Sequence, residues 1–425
     1  MQHDPWNDFE AMDQAQWRSL AEKSLRGMSW SDVEPSRGDG WDLPVRVDSE
    51  DVAAQPQGLP ARSIASPSEG QVWQVQQTLD DPKALMQALQ HGVQGLRVSE
   101  AAQQAHGLGR LLDGVYLEMV DVHLDGPEAT GLLRDLVERQ VPAEALTGSC
   151  SLDVLRAADG ERLARHVEAW GAAYPKLFTW GADAAPWLDA GATLVDVLSG
   201  VLSGLDAGIT TLEREGIGFD QAVARCTVRW AVGSEVLVEV AALRALRMLW
   251  AKWLTHRHAA IRPLWIDART STRNFVRALP EDNLLRTTAA TYASVLGGAD
   301  GIETLPHDFR EPQATESARR YARNIQHLLR EESSLHLTFD PMQGSHALEY
   351  LTNQAVERAW SQYVADASEG GWSTLWEEGI WKERVLAGRE QGRKASLFLP
   401  RDIERGNAPM PADLAAPVFY PDHEA

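Results

Sequence analysis

The run ARTST near residue 270 offers the most direct chemistry, because Arg269, Ser271 and Thr272 place a guanidinium and two hydroxyls side by side. Such a donor set can grip a phosphate or a carboxylate. Further along, Glu303 precedes His307 and Asp308, and an imidazole beside a carboxylate can act as an oriented general base. Asp183 and Ser234 are two more polar residues that follow β-rich runs. Each candidate also has a structural explanation. Ser, Thr and Asp are ordinary at helix starts, where they cap free amides, and a His–Asp neighbour pair is often a surface ion pair.

Metal chemistry has weaker support. His256 and His258 form an HxH at the end of a helical pattern rich in Arg and Lys, where imidazoles suit the negative end of the helix dipole. Zinc takes three or four protein ligands, and no third one lies near them in sequence. The chain's two cysteines, Cys150 and Cys226, lack a nearby Cys or His at zinc spacing and read as small buried hydrophobes. Arg244, Arg247 and Lys252 read as a solvated or interface face of the same helix. The scattered tryptophans read as packing residues.

These residues need a scaffold, and the pattern of the chain supplies one. From residue 71 onward short β-rich runs alternate with longer helical patterns, as in βα units around a parallel sheet. Strands are expected at 71–78, 93–98, 114–122, 145–150, 175–181, 226–232, 263–269 and 300–305. Helices are expected at 82–91, 99–111, 127–139, 152–170, 190–215, 234–256 and 273–296. Gly92, Gly114 and Gly216 follow helical patterns, and Pro82 and Pro127 open them. Eight strands predict an α/β fold, a (β/α)8 TIM barrel, in which side chains at the carboxyl ends of the strands form the site. That rule selects Asp183, Ser234, Arg269, Ser271, Thr272, Glu303, His307 and Asp308.

The expected organisation has three parts. Residues 1–70 form an N-terminal helix and extended arm, with Phe9, Met12, Trp17, Leu20 and Leu25 on one side of a helix at 8–28, then anchors at Trp41, Leu43, Val45 and Val47. The segment has too little apolar surface for its own core and is expected to lie on another surface, its own barrel or a partner's. Residues 71–395 form the barrel and C-terminal helices at 313–332, 345–368 and 372–393. Residues 396–425 are a Pro-rich tail.

With 425 residues, 44% of them hydrophobic, the chain can hold a full barrel and a packed core. A formal charge of -21 opposes nucleic acid binding, and polyanionic ligands would need a local basic patch. No uninterrupted apolar run approaches the ~20 residues of a membrane span, and the start MQHDPWNDFE is acidic where a signal peptide is basic. A cytoplasmic protein without a membrane partner is expected.

Longer motifs resemble the methylmalonyl-CoA mutase family, whose barrel works with adenosylcobalamin. ARNIQHLLREES, then FDP and GS, then LEYLTNQAVERAW match in order and spacing. WRSLAEKSLRG with WDLPVRV, AGATLVDVLSGVLSGLDAGITTLEREGIGFDQA, and WAVGSEVLVEVAALRALRMLWAKW extend the likeness over nearly the whole chain. GGADGIETLPHDF is more similar to the small (beta) subunit of the heterodimeric enzymes.

The resemblance implies a site, and this chain departs from it in three places. Large subunits carry a histidine for the thioester carbonyl just before the equivalent of Ala190 to Thr193. Here the approach is GADAAPWLDAGAT, with Pro186, Trp187 and Leu188. Their TIRQYAGF-like first strand supplies Tyr and Arg, whereas VWQVQQTLDD at 72–81 has neither. Their phosphate-gripping TSGWSLT-like run is replaced by RTSTRNFVRA. The family threads the pantetheine arm of CoA down the barrel axis. Tyr116, Met119, Phe178, Trp180, Trp230 and Trp265 are therefore expected, in part, to fill that axis.

Asp121, His123 and Gly126 fit the DxHxxG pattern whose histidine ligates cobalt in cobalamin domains. In the third barrel strand it is read as a coincidence, as polar residues at a strand end. The barrel and its helices use the chain to about residue 395, leaving no expected cobalamin domain. The expectation is a noncatalytic small subunit, with no catalytic, cofactor-binding or metal residue of its own and adenosylcobalamin held by a large catalytic partner. The alternative is the catalytic barrel of a split acyl-CoA mutase that recruits a separate cobalamin protein. A weaker third reading is a stand-alone barrel with new chemistry around Arg269 and His307.

Overall fold

The computed structural model describes residues 12–30, 41, 44–53, 73–80, 82–124, 136, 141–155, 160–273, 275–276, 279–309 and 314–395. The β-rich runs become β1 (Gln74–Thr78), β2 (Gly95–Val98), β3 (Asp121–Leu124), β4 (Gly148–Asp153), β5 (Leu177–Asp183), β6 (Cys226–Val232), β7 (Trp265–Thr270) and β8 (Gly301–Glu303). All pair in parallel in sequence order, and β1 also pairs with β8. Closure removes the two free edges that an open sheet would expose. The (β/α)8 barrel expected from the alternation is the fold.

One strand is misplaced by the sequence reading. The expected strand at 114–122 begins only at Asp121, and Tyr116 and Met119 lie before it on the surface, 74% and 82% exposed. VYLEMV is apolar enough to imitate a strand, but it forms turns.

Outside the barrel, helices run over Pro82–Gln90, Gly160–Ala173, Ala185–Ala190, Leu194–Arg214, Val236–His256, Asn283–Leu296 and Glu316–His327. The helix expected at 99–111 breaks at Gly107, whose φ is +71°, into Glu100–His106 and Leu108–Leu111. Gly92, Gly114 and Gly216 take positive φ, as their positions suggested. The helix expected from residue 273 starts only at Asn283, after a single 3-10 turn at Pro280–Asp282. The helix expected at 127–139, with Gly126 and Pro127, lies outside the described residues apart from Leu136. So does the tail 396–425.

The C-terminal helices cover one side of the barrel. His346–Ser368 packs on both Leu194–Arg214 and Val236–His256. The helix Leu194–Arg214 is long and apolar enough to cross a membrane by composition, yet most of its length is buried here, as in a core helix. Gly200, Gly204 and Gly208 let its neighbours close in, against Trp381, Leu155 and Trp180 in turn.

Val236–His256 is buried on two sides by the same arrangement, which overturns the solvated face expected for its arginines. Arg244 and Arg247 are 3% and 2% exposed. Arg244 binds Asp340 at 3.1 Å, Glu349 at 2.8 Å and Thr352 at 2.9 Å. Arg247 holds Asp300 at 2.9 Å and the Leu264 carbonyl at 2.9 Å. Lys252 alone keeps a half-open position, over the Trp360 ring and beside Glu357.

The N-terminal helix is Gln14–Ser24, opened by an Asp13–Gln16 capping box, and none of its residues is buried. Phe9 and Leu43 lie outside the described residues. Trp41 is fully buried and donates through Nε1 to the Leu351 carbonyl at 2.9 Å. Trp41 is thus pinned to the C-terminal helix His346–Ser368 of its own chain.

Candidate functional site

The barrel interior is set by the alternation of its strands, which is interrupted in β5, where the successive amides of Thr179 and Trp180 both donate to the Arg225 carbonyl. Phe178 and Trp265 face inward near the amino end, with ring centroids 5.4 Å apart. Trp180 and Trp230 face outward, into the core between strands and helices. Trp180 donates from Nε1 to the Ala222 carbonyl at 2.9 Å. Of the six bulky residues expected to fill the axis, two do so. The remainder of the filling is polar.

At its centre Asp267 on β7 accepts from Gln76 Nε2 at 2.8 Å, Arg97 Nη2 at 3.1 Å and Trp265 Nε1 at 2.9 Å. His123 on β3 lies 3.8 Å from the same carboxylate. Its Nδ1 is 2.9 Å from Ser149 Oγ, and its Nε2 is 3.0 Å from Gln74 Oε1. Burial pushes the Asp267 carboxyl up, but His123, Arg97 and the hydrogen bonds from Trp265 and Gln76 together hold it below the usual carboxylate range. In an eight-stranded barrel β3 and β7 stand opposite each other. Side chains from opposite walls therefore meet across the axis at that level.

Glycines on the inner face make this crossing possible. A methyl at Gly301 would meet the Gln76 amide and lie 2.6 Å from Asp267 Oδ1, and one at Gly95 would lie 2.8 Å from Gln76 Cγ. Below the centre, Gln74 and Thr147 both donate to Asp121. Above it, Glu303 binds Arg229 at 3.1 Å and accepts from the Thr78 amide at 3.0 Å.

The carboxyl-end mouth brings together only part of the expected site. Arg269, Ser271 and Thr272 do converge on an anion, but that anion is Asp189 of the same chain. Ser271 Oγ donates to Asp189 Oδ1 at 2.6 Å, the Thr272 amide to the same oxygen at 2.9 Å, and Arg269 Nη2 to Oδ2. Burial raises the Asp189 carboxyl, and Arg269 with the Ser271 and Thr272 hydrogen bonds outweighs it, so the group sits below its ordinary value. Glu303 belongs to the barrel interior. Asp183, the last residue of β5, accepts from the Ala185 amide through Oδ1 at 3.1 Å. Ser234 is half-buried on the connection after β6.

His307 and Asp308 form no dyad. Asp308 Oδ2 accepts from the Thr315 amide at 2.9 Å and hydroxyl at 2.8 Å, while His307 packs its ring 6.0 Å from Tyr321. His307 Nδ1 has no hydrogen-bond partner among the described residues. His256 lies edge-on to Trp360, and His258 adopts φ +55° past the helix end. Cys150 and Cys226 are buried, and burial raises the Cys226 thiol to about 12, which keeps it protonated. Among the described residues no group of three or more His, Cys, Asp or Glu could hold a metal ion.

The sequence reading missed Gln74, Gln76, Arg97, Asp189 and Asp267, and it placed His123 at a strand end. The available signal was charge inside a β-rich run, Arg97 in GLRV and Asp267 in WIDART. A charge there must be paired within the barrel. His123 is 1% exposed, and both ring nitrogens face barrel side chains. Trp187, near the position where large subunits carry their histidine, turns outward and meets Trp376 and Trp381 edge-on at 5.9 and 5.8 Å.

Fold and site together define a (β/α)8 barrel with a polar plug across its axis and a mouth gripped by its own carboxylate. The family model for methylmalonyl-CoA mutase matches residues 160–396, and the chain belongs to the methylmalonyl-CoA mutase family. It is 31% identical to the methylmalonyl-CoA mutase small subunit of Streptomyces virginiae over 79% of this chain and 57% of that one. It is 26% identical to a methylmalonyl-CoA mutase of Cereibacter sphaeroides over 91% of this chain and 63% of the relative. The mitochondrial enzyme of Homo sapiens is 29% identical over 67% of this chain and 41% of the relative. The chain spans about half the length of the small subunits it matches.

Proposed function

We propose that this chain is a noncatalytic small (beta) subunit that binds and stabilises a large, adenosylcobalamin-dependent methylmalonyl-CoA mutase subunit in the cytoplasm. The large subunit would interconvert (R)-methylmalonyl-CoA and succinyl-CoA and hold the cofactor. The observation that carries the reading is the contact of His123 with Asp267 across the axis, where an active family member must admit pantetheine. The anion grip consumed by Asp189 and the inward glutamines of β1 in place of Tyr and Arg support it.

The partner would meet the outer surface. The helix Gln14–Ser24, unburied on its own barrel, is the first candidate contact, with Trp41 beyond it held to the helix His346–Ser368. An obligate heterodimer would bury about 2,000 Å² or more. Coexpression with a large mutase subunit tests the reading. A one-to-one complex that keeps full mutase activity when His123 is replaced by Leu is expected. Mutase activity of this chain with only a separate cobalamin protein would refute it.

A further inference from the structure

We propose that the turn after β7 is a carboxylate seat, and that Asp189 is its built-in occupant, clasping the helix after β5 over the barrel mouth. Three donors of different kinds converge on one carboxylate: the Arg269 guanidinium, the Ser271 hydroxyl at 2.6 Å and the Thr272 amide at 2.9 Å. Both oxygens are used, and the Asp189 and Arg269 side chains are only 5% and 14% exposed. Ordinary surface ion pairs lack such convergence and such burial. The donors belong to β7 and the turn after it, whereas the acceptor comes from Ala185–Ala190, two strands back in the barrel.

The helix that carries Asp189 is short, six residues, and has no side-chain cap. It is held from the other side by Trp187 against Trp376 and Trp381, and by Gly191 against Arg389. The Asp189 side chain therefore ties this helix to the turn after β7 while satisfying the Arg269 charge. Removing the carboxylate, but not its donors, leaves a seat of matching charge and geometry. The ligand class that fits is a small free carboxylate, and formate equals the removed group in size. This inference rests on local geometry and stands whether or not the chain has a catalytic partner.

Thermal unfolding of the full chain in sodium formate and in sodium chloride, at equal ionic strength, is the test. Asp189→Ala should lose roughly 5–10 °C in chloride, the scale for an unpaired buried charge in a protein of this size. Formate should restore at least half of that loss, rising with concentration and then more slowly, as site binding requires. The natural chain should respond alike to both salts, and adding Arg269→Leu to Asp189→Ala should abolish the formate response. Equal behaviour of Asp189→Ala in both salts, or an undiminished formate response in the double variant, would overturn the seat. Should Asp189→Ala aggregate on expression, its refolding yield serves as the readout instead: recovery in formate alone supports the proposal, and equal recovery in both salts rejects it.

Discussion

His123 Nδ1 and the Asp267 carboxylate lie 3.8 Å apart although β3 and β7 form opposite walls of the barrel. The axis at this level is therefore occupied by side chains that hold one another. Gln76 and Arg97 complete the crossing from two further strands.

Asp267→Ala should destabilise the fold by about 3–5 kcal/mol, because it strands the buried Arg97 charge beside an empty space. Asp267→Asn keeps the shape and should cost less. Urea unfolding measures both, and a loss below about 1 kcal/mol for the alanine variant would mean that the network is not tightly packed.

Gly301→Ala should cost about 1–3 kcal/mol, since the added methyl meets the Gln76 amide and Asp267 Oδ1 in a filled interior. In an open barrel the same methyl would be tolerated. Chemical denaturation of this variant against a surface glycine variant, Gly218→Ala, separates the two, as nothing lies within 4 Å of a methyl at Gly218.

Much of the barrel was legible because β-rich and helical periodicities alternate cleanly, and Gly and Pro punctuate them. The filling of the axis was not. Both faces of a barrel strand are buried, so apolar alternation does not say which residue points inward, and the register shift in β4 between Ser149 and Leu152 alters the count. Trp180 and Trp230 were plausible fillers by size, yet Gly208 opens a place for Trp180 on the outer side. The inward residues of β3, Asp121 and His123, are polar, while the more apolar VYLEMV before them is a surface turn. Arg244 and Arg247 looked solvated because the helical pattern of Val236–His256 alone does not reveal that His346–Ser368 covers it.

Lowering the pH from 7 toward 5 should reduce stability through His166. Burial first, with Arg162 adding, holds this imidazole below the usual range against the opposing hydrogen bond to the Cys150 carbonyl. The unfolded chain takes up the proton near pH 6.5 and the folded chain only at lower pH, so stability is lost between those values. His166→Gln should flatten this part of the stability–pH profile, with thermal unfolding at pH 7 and 5.5 as the readout.

Asp189 and Asp267 act in a lower window. Both carboxyls lie below their ordinary value in the fold, so their contribution is fully present above about pH 3.9 and lost as pH falls through the lowered values. The pH midpoint of acid unfolding should rise in Asp267→Asn, which has already lost that contribution. An unchanged midpoint would remove Asp267 from the acid-sensitive set.

The most direct measurement is a crystal structure of the chain soaked with a saturating acyl-CoA thioester. The account predicts that Gln76, Arg97, His123 and Asp267 keep their contacts and that no ligand density runs along the barrel axis. A pantetheine arm passing between His123 and Asp267 would contradict it.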